Sequence, residues 1–452
     1  METALSPLFS FDRDELQRLQ EALPKDLQLL WLRLRFGLPV RVVLGQRFRV
    51  VVDLVDEMGQ AFPKHLTPPE GVDISLVSQS SGVINNQEIS SGDVGEIILK
   101  IEKSATERRQ EAKWVFWASL HSAQGTRVSP IDIRVGLRIQ MKQTLPIGGD
   151  SYHYRRLLQT FCVGSAWLDE HVLVLPLQVE LQVLNTSDSN DSSLSTSTVC
   201  QRLFRFLPSK NSTTEASTDE RDLLTVEEHY GDAMGAHVWD ASILLSWAVL
   251  QAGARASTSP EQDNLMGKAN MKQTILELGS GCGLFAAVLA RVKPSHQLQT
   301  IFTEKSECTH RLQTNLDRNG SPPSASVLAL EWGAPLPSLL RDANVRVVFA
   351  ADVLYNWAAH EVFLATLDGL VQEQQANTKL HVFVAHKRRG KASAEKLDAL
   401  ALGTFDPASM CGTSAPNFTC RWTQWRVDKL SSLGRVDLLK LSRRFSCGAK
   451  AS

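Results

Sequence analysis

Apolar positions recur along this chain with two different periods, and the change of period divides it. Residues 12–35 carry leucines at helical spacing behind the cap-compatible Asp12, while Pro24 should interrupt the run. That pattern predicts an N-terminal helical segment over 1–36, either a hairpin or a kinked helix. From Pro39 to about Met141 the period falls to two. The runs PVRVVL, FRVVVDLV, VDISLV, EIILKI, KWVFWASL and IDIRVGLRI are rich in β-branched residues and are separated by Gly, Ser, Pro and Asn clusters. VLVLPLQVELQVL (172–184) continues the series, with Pro176 predicting an edge or a bend. The expectation is a β-rich domain over 37–184, an immunoglobulin-like sandwich within that class, of unassigned role.

Two polar stretches follow, 185–199 and 209–222, bracketing the strand-like QRLFRFLP. They predict a flexible linker with one short strand over 185–223. Beyond it, strand and helix signals alternate from 224 to 448, the pattern of a parallel sheet covered on both faces. Helices are expected at 239–252, 283–292, 306–319, 358–375 and 391–402. Strands are expected at 274–278, 298–303, 326–330, 346–351 and 380–385, with a terminal pair near 418–427 and 434–444. The predicted fold is thus α/β, a seven-stranded doubly wound domain preceded by the β-rich one.

Composition adds limits. At 452 residues, with 43% hydrophobic and 21% charged side chains, the chain can build two cores. A formal net charge of -1 supplies no global attraction to nucleic acid or anionic membrane, so a direct nucleic-acid partner is not expected. Seven scattered cysteines without a C-x-x-C pair disfavour a zinc site or disulfide framework. The acidic N-terminus and the lack of a long apolar run predict an intracellular protein, cytoplasmic or nuclear, so that the sequon at Asn211 is a chance match.

The chemistry concentrates at LELGSGCGLFAAVLA. An apolar strand leads into Glu277, then Gly279, Ser280, Gly281 and Gly283, then an Ala- and Leu-rich helix. Alternating glycines permit a tight strand-to-helix turn and close approach by a ligand. The order differs from the G-x-G-x-x-G dinucleotide fingerprint and lacks the Lys-Ser/Thr of a P-loop. Glu304 ends the next strand twenty-one residues beyond Gly283, where a carboxylate can accept two ribose hydroxyls. Asp352 ends VRVVFAAD, and ligands of open α/β sheets bind outside the carboxyl ends of strands. His386-Lys387-Arg388-Arg389 follows the fifth strand; such a run is usually a solvated loop and otherwise selects acidic surface or nucleic acid. His386 has no metal partner nearby in sequence, and no metal site is assigned.

These segments resemble class I S-adenosylmethionine-dependent methyltransferases. GAHVWDASILLSWAVL (235–250), LEWG (330–333) and AADVLY (350–355) resemble, in that order, the family-16 group that contains the methyltransferase-like 21 and 22 protein-lysine methyltransferases. The resemblance implies a seven-stranded Rossmann-like methyltransferase domain with S-adenosyl-L-methionine as cofactor. It implies that Glu277 engages the methionine part of the cofactor, Glu304 the ribose and Trp332 the adenine, with Trp239 beside the cofactor and Ala351 lining its methionine end. Asp352 and Tyr355 would form the D-x-x-Y motif at the mouth, with Asp352 orienting an incoming ammonium and Tyr355 walling its stem. The implied reaction is protein-lysine N-methylation, the partner a protein presenting a lysine. Methylation of histidine, arginine or a small molecule, and a non-catalytic binding module, stay open alongside it.

Overall fold

The computed structural model describes residues 9, 11–60, 71–78, 97–103, 112–122, 133–142, 153–184, 196–206, 222–229, 234–252, 273–292, 298–373, 379–389, 391–406 and 420–444. They divide into two compact units. One unit takes residues 28–205 and 225–232, and the other takes 1–27, 206–224 and 233–452.

The β-rich unit contains two principal sheets. One orders the strands Ile97–Lys103, Lys113–Ser122, Arg47–Val55, Gln28–Leu34, Val172–Leu175 and Ala166–Trp167; the other orders Leu223–His229, Val199–Arg205, Leu177–Leu184, Ile133–Met141 and Val72–Ser78. Alternate residues of both sheets enter one core, which holds Val50, Val52 and Trp114 from the first and Leu137, Val179 and Leu181 from the second. Pro176 is the bend. It removes one backbone donor between Val172–Leu175 and Leu177–Leu184, and these two strands belong to different sheets.

The structure redraws three expected boundaries. Among the described residues of 1–36 only Arg13–Ala22 is helical, capped by the Asp12 carboxylate accepting from the amides of Asp14 and Glu15, and Gln28–Leu34 is a strand. In that second piece Leu29, Leu30, Trp31 and Leu32 are all buried, and burial on both faces of a sheet erases the alternation that would mark a strand. Within 185–223 the strand Val199–Arg205 belongs to the β-rich unit, not to a linker; 185–195 and 207–221, with the Asn211 sequon, lie outside the described residues. Leu223–His229, read as the start of the second domain, is an edge strand beside it. Its Glu228 is buried against Arg202 at 2.7 Å, and the guanidinium lies 4.8 Å from the Trp31 ring. A buried, paired acid thus occupies a position where sequence alone suggests solvent.

In the second unit we label α1 (Arg13–Ala22), α2 (Asp240–Gln251), β1 (Gln273–Leu278), α3 (Leu284–Val292), β2 (Leu298–Glu304), α4 (Ser306–Arg318), β3 (Ala325–Ala329), β4 (Asn344–Ala351), α5 (His360–Glu373), β5 (His381–Lys387), α6 (Lys391–Leu402), β6 (Trp425–Leu433) and β7 (Val436–Arg443). The sheet runs β3-β2-β1-β4-β5-β7-β6, parallel except for β7, which is antiparallel to both β5 and its hairpin partner β6. This is the doubly wound Rossmann-like arrangement that the alternation predicted. The sixth strand begins at Trp425 rather than near 418, because Arg421–Gln424 forms a short 3-10 turn before it.

Strand order reverses between β1 and β4, which places a crevice at their carboxyl ends. Beneath it, Phe349 of β4 meets Phe285 of α3, Phe383 of β5 and Phe9, with ring centroids 5.0, 5.5 and 5.1 Å away. Phe9 is fully buried, and α1 is tied to β6 by Ser431 Oγ, which donates to the Leu16 carbonyl at 3.4 Å. The first described residues of the chain therefore complete the core of its C-terminal domain.

Candidate active site

The turn from β1 into α3 is built on left-handed backbone. Gly279, Gly281 and Gly283 have φ of 73°, 57° and 89°, a region that costs other residues about 1–2 kcal/mol each. A Cβ at Gly279 would lie 3.1 Å from Trp332 Cζ2 and 3.2 Å from Val353, and one at Gly283 only 2.7 Å from Leu312 Cδ1. The turn is held to β2 by the Ser280 amide donating to the Thr303 carbonyl at 2.9 Å, and to α4 by Asn315 Nδ2 donating to the Cys282 carbonyl at 2.7 Å.

Two carboxylates flank this turn in different states. Glu304, at the end of β2, accepts the Gly281 amide at 2.7 Å, so the acid is oriented against the loop by the loop itself. Glu277 is buried, and its Oε2 meets no donor in hydrogen-bonding geometry among the described residues. Burial pushes the Glu277 carboxyl up to about 8, with the Ser280 hydroxyl opposing the rise and the charge of Glu304 adding to it. An acid in that condition gains from any ligand that brings a donor or a positive charge.

The Met234–Ala236 turn crosses the same place. The carbonyls of Gly235 and His237 lie 3.7 and 3.8 Å from where a Gly281 Cβ would stand, and the next turn brings Trp239 to the cap of α2. Trp239 Nε1 donates to the Met234 carbonyl at 3.1 Å. Trp332 is half-buried between Gly279 and Phe363. Glu277, the glycines, Glu304, Trp239 and Trp332 thus gather at the carboxyl ends of β1 and β2.

Ala351 and Asp352 follow on β4, and here the geometry departs from expectation. Asp352 is a non-glycine residue with φ of 60°, a strained conformation held by its surroundings. Its amide donates to the Ala385 carbonyl at 2.7 Å, and its Oδ1 accepts from Arg389 Nη1 at 2.7 Å and from the Lys387 amide at 3.4 Å. Arg389 Nη2 closes the fork on Oδ2. The acid expected to stand open to an ammonium therefore already holds a bidentate cation. Asn356 caps the following 3-10 turn, its Oδ1 accepting the Ala358 amide at 3.1 Å. Tyr355 is 45% exposed at the mouth.

The basic run 386–389, which begins within the last two residues of β5, is the functional feature that the sequence conceals. None of its four members is a merely solvated charge. His386 is buried, neither ring nitrogen meets a hydrogen-bond partner among the described residues, and burial lowers it to about 4. Lys387 is buried with its ammonium on the Asp240 carboxylate, Arg388 lies 3.5 Å from Asp437, and Arg389 takes Asp352 while its guanidinium sits 5.5 Å from the Trp239 ring. The available signal was the pair of acids at Asp240 and Asp352, each ending or beginning an apolar element and each needing a counter-charge.

Residues 218–401 match a family model described as lysine methyltransferase. The chain is 30% identical over 219 residues to the protein-lysine N-methyltransferase EEF2KMT of Mus musculus, covering 45% of this chain and 58% of the relative. It is 27% identical over 164 residues to the UPF0665 family protein C23C4.06c of Schizosaccharomyces pombe, covering 36% of this chain and 45% of that one. The chain thus spans about half the length of these curated relatives. A solved SAM-dependent methyltransferase from Aquifex aeolicus aligns over 41% of this chain and 88% of its own at 16% identity, with a TM-score of 0.27. At that score it adds nothing to the strand order read directly.

Proposed function

We propose, from the match of residues 218–401 to the lysine methyltransferase family model, that the protein transfers a methyl group from S-adenosylmethionine to a lysine side chain of a protein substrate. The observation that carries the cofactor part of this reading is the unpartnered, buried Glu277 oxygen behind a three-glycine turn to which Glu304 is fixed. Those residues fit the group. Glu277 would take the cationic methionine end and Glu304 the ribose hydroxyls, with Trp332 as a wall for the base and Trp239 and Ala351 bordering the reacting end.

When bound, S-adenosylmethionine supplies a methyl carbon already activated by its sulfonium, ready for in-line displacement. The work left to the chain is alignment, exclusion of water and control of the acceptor's protonation. A lysine has an ordinary pKa of about 10.4, so the acceptor must lose a proton before it can attack. Asp352 lies at the end of β4, where an acceptor would arrive, and Tyr355 offers a hydroxyl and an aromatic wall at the mouth.

The β-rich unit we read as a β-sandwich that grips the protein substrate, immunoglobulin-like in class. Two sheets sharing one core support the architecture. Calorimetry tests the enzymatic reading directly: saturable S-adenosylmethionine binding is expected, and a flat titration removes it.

A further inference from the structure

Each acid at the acceptor end is matched to a base from one four-residue segment. Arg389 takes both oxygens of Asp352, and Lys387 takes Asp240. The two bases join the start of α2, where Trp239 lies under the Arg389 guanidinium, to the loop after β4. An unbalanced carboxylate within 4–6 Å of an amine favours the ammonium by about 1–3 pKa units, which opposes methyl transfer. Arg389 cancels that effect.

Resting on the lysine-methyltransferase reading, we propose that Arg389 is a positioning and specificity-determining residue: by holding Asp352 in a charge-balanced fork, it makes the site select the acceptor nitrogen as a neutral amine. Asp352 then serves as a fixed hydrogen-bond acceptor rather than as a counter-ion. The strained φ of Asp352 fits this role, because the amide bond to the Ala385 carbonyl fixes the backbone while the Arg389 fork fixes the carboxylate.

Other charged groups around Asp352 do not produce the same effect. His386, whose Nδ1 is 4.0 Å from Asp352 Oδ1, and His360 of α5 are both lowered by burial to about 4, and stay neutral from pH 6.5 to 9.5. Lys387 is engaged by Asp240 of α2, and Asp437 of β7 by Arg388 and by Lys429, the latter at 3.0 Å. Glu277, pushed up to about 8, titrates in that window in wild type and variant alike, so a difference between their profiles reports Arg389.

The test uses full-length protein, tritiated S-adenosylmethionine and a cell lysate, with initial rates counted at the band that wild type labels, across pH 6.5–9.5. Arg389→Gln should move the rising limb of the rate to higher pH by about one unit. At pH 7.5 it should lower kcat while leaving KM for the labelled protein unchanged or smaller, since ammonium is then held unproductively. Arg389→Lys keeps the charge without the fork and should keep the wild-type midpoint at a lower rate. Binding of S-adenosylhomocysteine by calorimetry confirms that each variant is folded. Should the glutamine variant fail that check, Arg389→Met, which keeps the stem against Trp239, carries the same expectation. An unshifted profile on removing the charge, or a shifted one in Arg389→Lys, overturns the proposal. No lysine labelling by wild type would instead overturn the functional reading beneath it.

Discussion

At the end of the site proposed for the cofactor, Glu277 keeps a buried oxygen with no hydrogen-bond donor among the described residues, whereas at the end proposed for the acceptor Asp352 meets Arg389 and Asp240 meets Lys387. Both ends use acids at the carboxyl edge of one sheet, and they differ in what is left unsatisfied. The first is built to gain a partner: an acid raised to about 8 by burial favours a ligand that brings a donor or a positive charge. The second is already balanced, and an arriving cation would find no net charge to meet. One end is thus suited to a charged cofactor and the other to a neutral nucleophile, which is the division that methyl transfer to nitrogen requires.

The widest separation of the two ends is expected from Asp352→Ala. Its methyl transfer should fall by about a thousandfold, the range for losing a positioned acid or base, while S-adenosylhomocysteine affinity measured by calorimetry stays nearly unchanged. Retained activity would remove Asp352 from the mechanism. Phe9→Ala acts on the shared floor instead. Emptying a fully buried aromatic against Phe349 should cost about 3 kcal/mol in urea unfolding and affect both ends alike, and no loss would mean that the N-terminal segment is dispensable to the domain.

Gly283→Ala touches the cofactor end alone. It meets Leu312 Cδ1 at 2.7 Å with φ of 89°, and should weaken S-adenosylhomocysteine binding by about tenfold, given roughly 1–2 kcal/mol of backbone strain. Unaltered affinity would show that the turn adapts. The last prediction concerns the pH dependence of stability at Glu277. Its carboxyl, ordinarily at 4.5, is raised to about 8 in the fold, so the folded protein binds a proton that the unfolded chain has released between those values, and stability falls as pH rises through that window. Glu277→Gln should remove this dependence, seen as a smaller drop in Tm from pH 5 to pH 8. An unchanged drop would place the titration elsewhere.

The two ends also differ in how far the sequence reveals them. Glycines with positive φ, an acid at each strand end and the alternation of strands with helices are local patterns, and the positions of Glu277, Gly279, Gly281, Gly283 and Glu304 follow from them. The Asp352–Arg389 fork joins residues thirty-seven apart, brought together because β4 and β5 pair with Ala351 opposite Ala385. A charge run reads as solvated until such pairing is known. The same limit hid Gln28–Leu34, whose continuous apolar run fits a helix or a strand buried on both faces, and Glu228, whose charge masks an edge strand closed by Arg202. Short-range periodicity reports which face is apolar. It does not report which distant residue will neutralise a buried charge.

The central claim is that these two ends together methylate a protein lysine. Its most direct test is incubation of the full-length protein with isotopically labelled S-adenosylmethionine and a cell lysate, followed by mass spectrometry of the labelled proteins. The account predicts label on a lysine side-chain nitrogen of a protein, lost with Asp352→Ala. Label confined to another residue type or to small molecules, or none at all from a protein that binds the cofactor, would contradict it.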